Sequence, residues 1–204
     1  LDAIPAYFTD RLIKMAEFTR DVTKPNGRVA QIGDNDSGRM FKLSVGHISN
    51  DLIEFHLDHS GVITAINALL GRSNIERGFA SEAAIVRALA GGRTLASSGG
   101  VATNVVVEPH VPVPYSQHGQ TETQVKIPDE MLLDGLKEVA YPDFGVYIWR
   151  SARFFLSIRC GSNGQNGHGG HAHNDQLAVE LNMDGNDWLA DPGSYTYTAS
   201  IERR

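Results

Sequence analysis

The stretch NGHGGHAHND, Asn166 to Asp175, sets His168, His171 and His173 within ten residues and closes on a carboxylate. Imidazoles titrate near neutral pH, so such a group can ligate a metal or move a proton. Glycines at 164, 167, 169 and 170 permit turns that other residues resist and let a ligand approach the backbone. The following DQLAVELNM alternates, with Leu177, Val179, Leu181 and Met183 on one side. That alternation predicts a strand with its odd-numbered face buried. Continued backward without a bulge, the same face would carry His171, His173 and Asp175. Core would lie at one end and reactive groups at the other, delivered to a cleft from a rigid scaffold. The competing reading is a solvated Gly/His turn, since H-x-H spacing is weaker than a zinc-finger pattern.

A second constellation is LADPGSYTYT, Leu189 to Thr198. Asp191 stands before Pro-Gly at a strand end, where alone it reads as an Asx-turn capping its own backbone. Tyr195 and Tyr197 would share a strand face, where packing is the commoner use of tyrosine. A hairpin through Gly185 and Asn186 would set Asp191 opposite Glu180. His173 would then lie roughly 20 Å along the strand. A site shared by His173 and Asp191 therefore requires the glycine-rich segment to fold back, or a different pairing.

GDNDSGR, Gly33 to Arg39, invites a calcium reading because Asp34 and Asp36 alternate before Gly38. An EF-hand would carry Glu at its twelfth position, and Val45 stands there. A turn capped by Asp34, with Arg39 ion-paired to these carboxylates, is the better expectation.

The elements behind these residues change character along the chain. Phe8, Leu12, Met15 and Ala16 recur at helix spacing, Pro5 suits a first turn, and KPNG at 24–27 stops the helix. SNDLIEFHL predicts a short helix capped by Ser49 or Asn50. VITAINALLG and SEAAIVRALAGG predict two more, each ended by glycine. Residues 94–126 lose the helical period, and PHVPVPYSQHGQTETQ reads as an irregular connection. GVYIWR and RFFLSIRCG then read as strands joined by a turn at Ser151–Ala152. DGND is a turn signal, DWLAD returns, and SYTYT is a further strand. The resulting division is helical over 1–93, irregular over 94–138 and antiparallel β over 139–204. Helices followed by successive hairpins give an α+β chain rather than a βαβ sheet.

The chain has 204 residues and a net charge of −6, with no basic tract. That balance argues against nucleic acid as a partner, and no apolar run is long enough to span a bilayer. Cys160 is the only cysteine, so no internal disulfide forms. The chain begins at Leu1 without Met and stops shortly after SYTYT, which we read as a piece of a longer protein.

GGHAHNDQLAVEL followed by WLADPGSYTYT resembles the heparinase II/III family of polysaccharide lyases. YPDFGVYIWRS resembles the start of that family's β-domain, and VAQIGDNDSGR a segment near the end of its helical domain. The resemblance implies the last helices of an (α/α) toroid followed by the first strands of an antiparallel β-sandwich. It implies β-elimination at a uronic acid in an acidic polysaccharide, in the periplasm or outside the cell. It further implies zinc or another divalent metal at His173 and Asp191, with His171 at the active-site cleft and Tyr195 lining it. The family's catalytic Tyr and its carboxylate-neutralising Asn/His would precede Leu1, and a further metal-ligand histidine would follow Arg204. This piece alone is then expected to be inactive. A glycan-binding or capsule-assembly protein on the same scaffold is the alternative. A zinc hydrolase ranks last, because no H-E-x-x-H occurs.

Overall fold

The computed structural model describes residues 5–34, 57–71, 80–93, 131–163, 168–169 and 175–193. The expected helix over 49–57 (apart from Leu57), the connection over 94–130 and the strand over 194–198 lie outside the described residues. So do Asp36, Arg39, His171, His173, Tyr195 and Tyr197. The described residues group into two units, one containing 5–23, 57–71 and 80–93, the other 24–34 and 131–193.

The first unit is helical: α1 (Ala6–Asp21), α2 (Ser60–Leu69) and α3 (Ala80–Leu89). α2 packs against both of the others and buries Ile63, Thr64, Ile66, Asn67 and Ala68. A helix covered on most sides reads as apolar nearly all round. Ile63 and Ile66 close a small core with Ala16, flanked by Leu12 and Leu70. α1 forms at the expected place, but its buried stripe runs through Thr9, Leu12 and Ala16. Phe8 and Met15 sit at the flank of that stripe and are exposed. Gly61 on α2 faces α3 closely, since a Cβ there would lie 2.9 Å from Glu82 Oε2.

The second unit is a five-stranded antiparallel meander in the order β1-β2-β3-β4-β5. Its strands are β1 (Lys137–Tyr141), β2 (Val146–Arg150), β3 (Phe154–Arg159), β4 (Ala178–Met183) and β5 (Asn186–Leu189). The overall class is α+β, as the sequence pattern predicts. β1 has no counterpart among the expected strands. It is an edge strand carrying Lys137 and Glu138, ordered by pairing with β2 and by the Trp149 Nε1–Glu138 Oε1 bond of 3.0 Å.

One face of the sheet is buried and largely polar. Val146, Ile148 and Arg150 on β2 align with Arg159, Ser157 and Phe155 on β3, which align in turn with Ala178, Glu180 and Asn182 on β4. The opposite face carries a row of Trp149, Leu156, Leu181 and Leu189. Trp149, Leu156 and Leu181 there are half-buried and Leu189 is exposed.

This corrects the expectation for β4. The even-numbered residues point inward, with Asn182 fully buried and Glu180 3% exposed, while Val179 is 37% and Leu177 75% exposed. Alternation fixes which residues share a face but not which face is covered. Here the Glu180 carboxylate and the Asn182 Nδ2 find partners inside, which offsets much of the cost of burying them. The backward projection also fails, because Leu177 has φ 61 and interrupts the strand before Asp175 is reached.

The β4–β5 turn differs by one residue from the expected one. Met183 pairs with Asn186, so the loop is Asp184–Gly185, at φ 51 and 79. Positive φ at both central residues is the type I′ geometry that matches strand twist. A bulge at Leu181/Asn182 then shifts the register, and β5 ends at Leu189. Asp191 is therefore not held opposite Glu180 by a continuous ladder.

Candidate functional site

The histidine segment leaves the sheet after β3 and rejoins it before β4, so the residues at its two ends define its neck. On the outgoing side, Arg159 donates through Nη2 to the Ser162 carbonyl at 2.8 Å. On the returning side, Asp175 is 3% exposed. Its Oδ2 accepts the Gly33 N–H at 2.9 Å and lies 3.9 Å from Arg159 Nε. Gln176 Nε2 donates to Asn163 Oδ1 across the neck, and Leu177 N–H bonds the Arg159 carbonyl at 2.6 Å. The turn from Asp175 to Ala178 is closed by a 3.0 Å bond from Ala178 N–H to the Asp175 carbonyl. Within the segment, His168 is exposed.

Arg159 is confined as well as paired. Its guanidinium lies 5.2 Å from the centre of the Phe144 ring. Gly145 and Gly161 pack against it, and a Cβ on Gly161 would overlap Nη1 and fall 2.6 Å from the Phe144 carbonyl. Only glycine allows that approach.

Residues 24–34 run with this unit, a membership that helix spacing does not indicate. Val29 and Ala30 are buried. Lys24 Nζ reaches Glu180 Oε2 at 2.8 Å and Asp187 Oδ1 at 3.0 Å. Gln31 N–H donates to Glu180 Oε1 at 2.6 Å. Asp187 also accepts from Asn26 Nδ2 at 3.0 Å and Asn182 Nδ2 at 2.9 Å. Burial raises the Glu180 carboxyl above the ordinary glutamate range, because desolvation outweighs the opposing attraction of Lys24 and the bonds from Lys24 and Gln31.

Asp191 is half-buried, and its Oδ1 accepts the Gly193 N–H at 2.8 Å. That is the Asx-turn the local sequence predicts. The turn rests against the segment holding Glu180, since a Cβ on Gly193 would stand 3.6 Å from Gln31 Cδ. Of the four residues expected at the site, Asp191 is described, while His171, His173 and Tyr195 lie outside the described residues. Among the described residues, no three metal-ligating side chains converge, and no helix is long and apolar enough to cross a membrane.

Sequence reasoning did not single out Lys24, Gln31, Arg159 or Glu180. A charged residue inside an otherwise apolar alternation, Glu180 in LAVELNM, was the one available signal, and alternation alone assigns it to solvent. The partner that keeps it inside is 156 residues away.

Residues 134–204 match the family model described as Heparinase II/III-like, C-terminal. No curated protein and no solved structure matches the chain. The matched stretch holds β1 to β5, the neck of the histidine segment and the Asp191 turn, and it belongs to the heparinase II/III-like family.

Proposed function

We propose that this chain is part of a polysaccharide lyase that cleaves a uronate-containing acidic glycan by β-elimination. The observation that carries this reading is the family match over 134–204, which includes both GGHAHND and DPGSY. The half-exposed apolar row Trp149, Leu156, Leu181, Leu189 supports a second sheet packed on this one, as in a sandwich. The helical unit would be the end of an (α/α) toroid. A periplasmic or secreted location follows by analogy with the family.

In the reaction a base takes the proton from C5 of the uronate. The C4–O bond breaks, a C4–C5 double bond forms, and the leaving oxygen takes up a proton. Charge builds on the carboxylate as the C5 proton leaves, so the site supplies donors or cations there. His171 would project into the cleft as base or acid, because an imidazole serves either role near neutral pH. Tyr195 would line the same cleft. The donors His173 and Asp191, an imidazole nitrogen and a carboxylate oxygen, suit zinc. Zinc held there would tie the histidine segment to the Asp191 turn.

Product masses test the reaction class on the full-length protein. Elimination gives two fragments whose masses sum to that of the substrate. A sum larger by one water would mean hydrolysis and would refute the lyase. Binding of glycan without any cleavage across a panel of uronate polymers would favour a glycan-binding or assembly role.

A further inference from the structure

We propose that Arg159 and Asp175 form a clamp at the neck of the histidine segment and act as positioning residues for His171 and His173. The proposal rests on the lyase reading of that segment. Residues 164–174 are joined to the rest of the protein through Asn163 and Asp175. Arg159 touches both ends, through its 2.8 Å bond to the Ser162 carbonyl and its 3.9 Å ion pair with Asp175. The Gln176–Asn163 side-chain pair closes the same neck further out.

The charges are not incidental to this clamp. The side chains of Arg159 and Asp175 are 10% and 4% exposed. Arg159 Nε and Nη1 are buried without a hydrogen-bond partner. Compensation for the guanidinium therefore comes from the Ser162 carbonyl, the Asp175 charge and the Phe144 ring. The same Asp175 Oδ2 is also held by the Gly33 N–H. The carboxylate stands two residues after His173, so its displacement is transmitted to that histidine through a short length of backbone.

The test compares wild type with Asp175→Asn, Asp175→Glu and Gln176→Ala in the full-length protein. Two readouts are taken: amide hydrogen exchange over 164–174, and kcat and KM on the glycan that wild type cleaves. Asp175→Asn should speed exchange in 164–174 while β2, β3 and β4 keep their protection. It should lower kcat by roughly ten- to a hundredfold, with KM changed by no more than about twofold, because displaced reacting groups cost rate before binding. Asp175→Glu should recover part of the kcat. Gln176→Ala, at the exposed end of the neck, should show the same pattern more weakly. It decides the matter if Asp175→Asn does not fold.

Unchanged exchange over 164–174 with unchanged kcat in a folded variant overturns the clamp. So does a wild-type segment already exchanging at the unfolded rate, or a uniform loss of protection with kcat per folded molecule intact. Absence of cleavage by wild type on any uronate glycan refutes the lyase reading instead, and the exchange data then decide the clamp by themselves.

Discussion

Lys24 Nζ lies 2.8 Å from Glu180 Oε2, and the two side chains are 2% and 4% exposed. The pair fastens the 24–34 segment to β4, in the middle of the sheet's polar buried face. Removing one partner strands a buried charge, which costs far more than the pair contributes. Lys24→Met should therefore destabilise the β unit by about 3–5 kcal/mol, measured by urea unfolding. Lys24→Met combined with Glu180→Met should recover much of that loss. A single-variant loss under about 1 kcal/mol, the range of an exposed pair, would show that the pair is solvated.

Glu180 also gives a pH signature. Its folded carboxyl is raised above the ordinary glutamate range, chiefly by desolvation. The native state then binds this proton more tightly than the unfolded state does. The stability it contributes is fully present below the ordinary glutamate range and is lost as pH rises through the raised value. Glu180→Gln should flatten this part of the stability–pH curve. Equal slopes in wild type and variant would contradict the assignment, and a wild-type slope rising relative to the variant would mean that Lys24 dominates.

Two glycines separate crowding from backbone strain. Gly161→Ala should push its new methyl into Arg159 and the Phe144 carbonyl, at about 1–3 kcal/mol. Gly169→Ala meets nothing within 4 Å among the described residues but must hold φ +77, at about 1–2 kcal/mol. Only the first should also speed amide exchange at Ser162 and Asn163. Equal exchange there in both variants would mean that Arg159 moves aside freely.

Zinc, if bound as proposed, holds the histidine segment and the Asp191 turn rather than activating water. His173→Ala and Asp191→Asn should each lower the zinc content of purified full-length protein, measured by elemental analysis. Chelation should speed amide exchange in both segments. A chelated protein with unchanged exchange there would refute the structural role.

The local features were legible because their causes are local. Helix spacing places α1 to α3, and the run of β-branched and aromatic residues places β2 and β3. The inward face of β4 was not legible, since Glu180 and Asn182 are buried only because Lys24, Gln31 and Asp187 meet them there. The turn at Asp184–Gly185 moved by one residue because a non-glycine, Asp184, takes φ 51. At the candidate site, the Asx-turn of Asp191 follows from its own sequence neighbours. The Arg159–Asp175 clamp joins residues that no local pattern connects.

Elimination at a uronate would leave a C4–C5 double bond in the product. The most direct measurement is the ultraviolet absorbance of the unsaturated product, followed for the full-length protein across a panel of uronate polysaccharides, with His171→Ala beside it. Absorbance should rise with one glycan class, and its rate should fall by about a hundredfold or more in the variant, the scale of losing an acid–base group. A flat trace from folded, zinc-loaded protein on every glycan would contradict elimination.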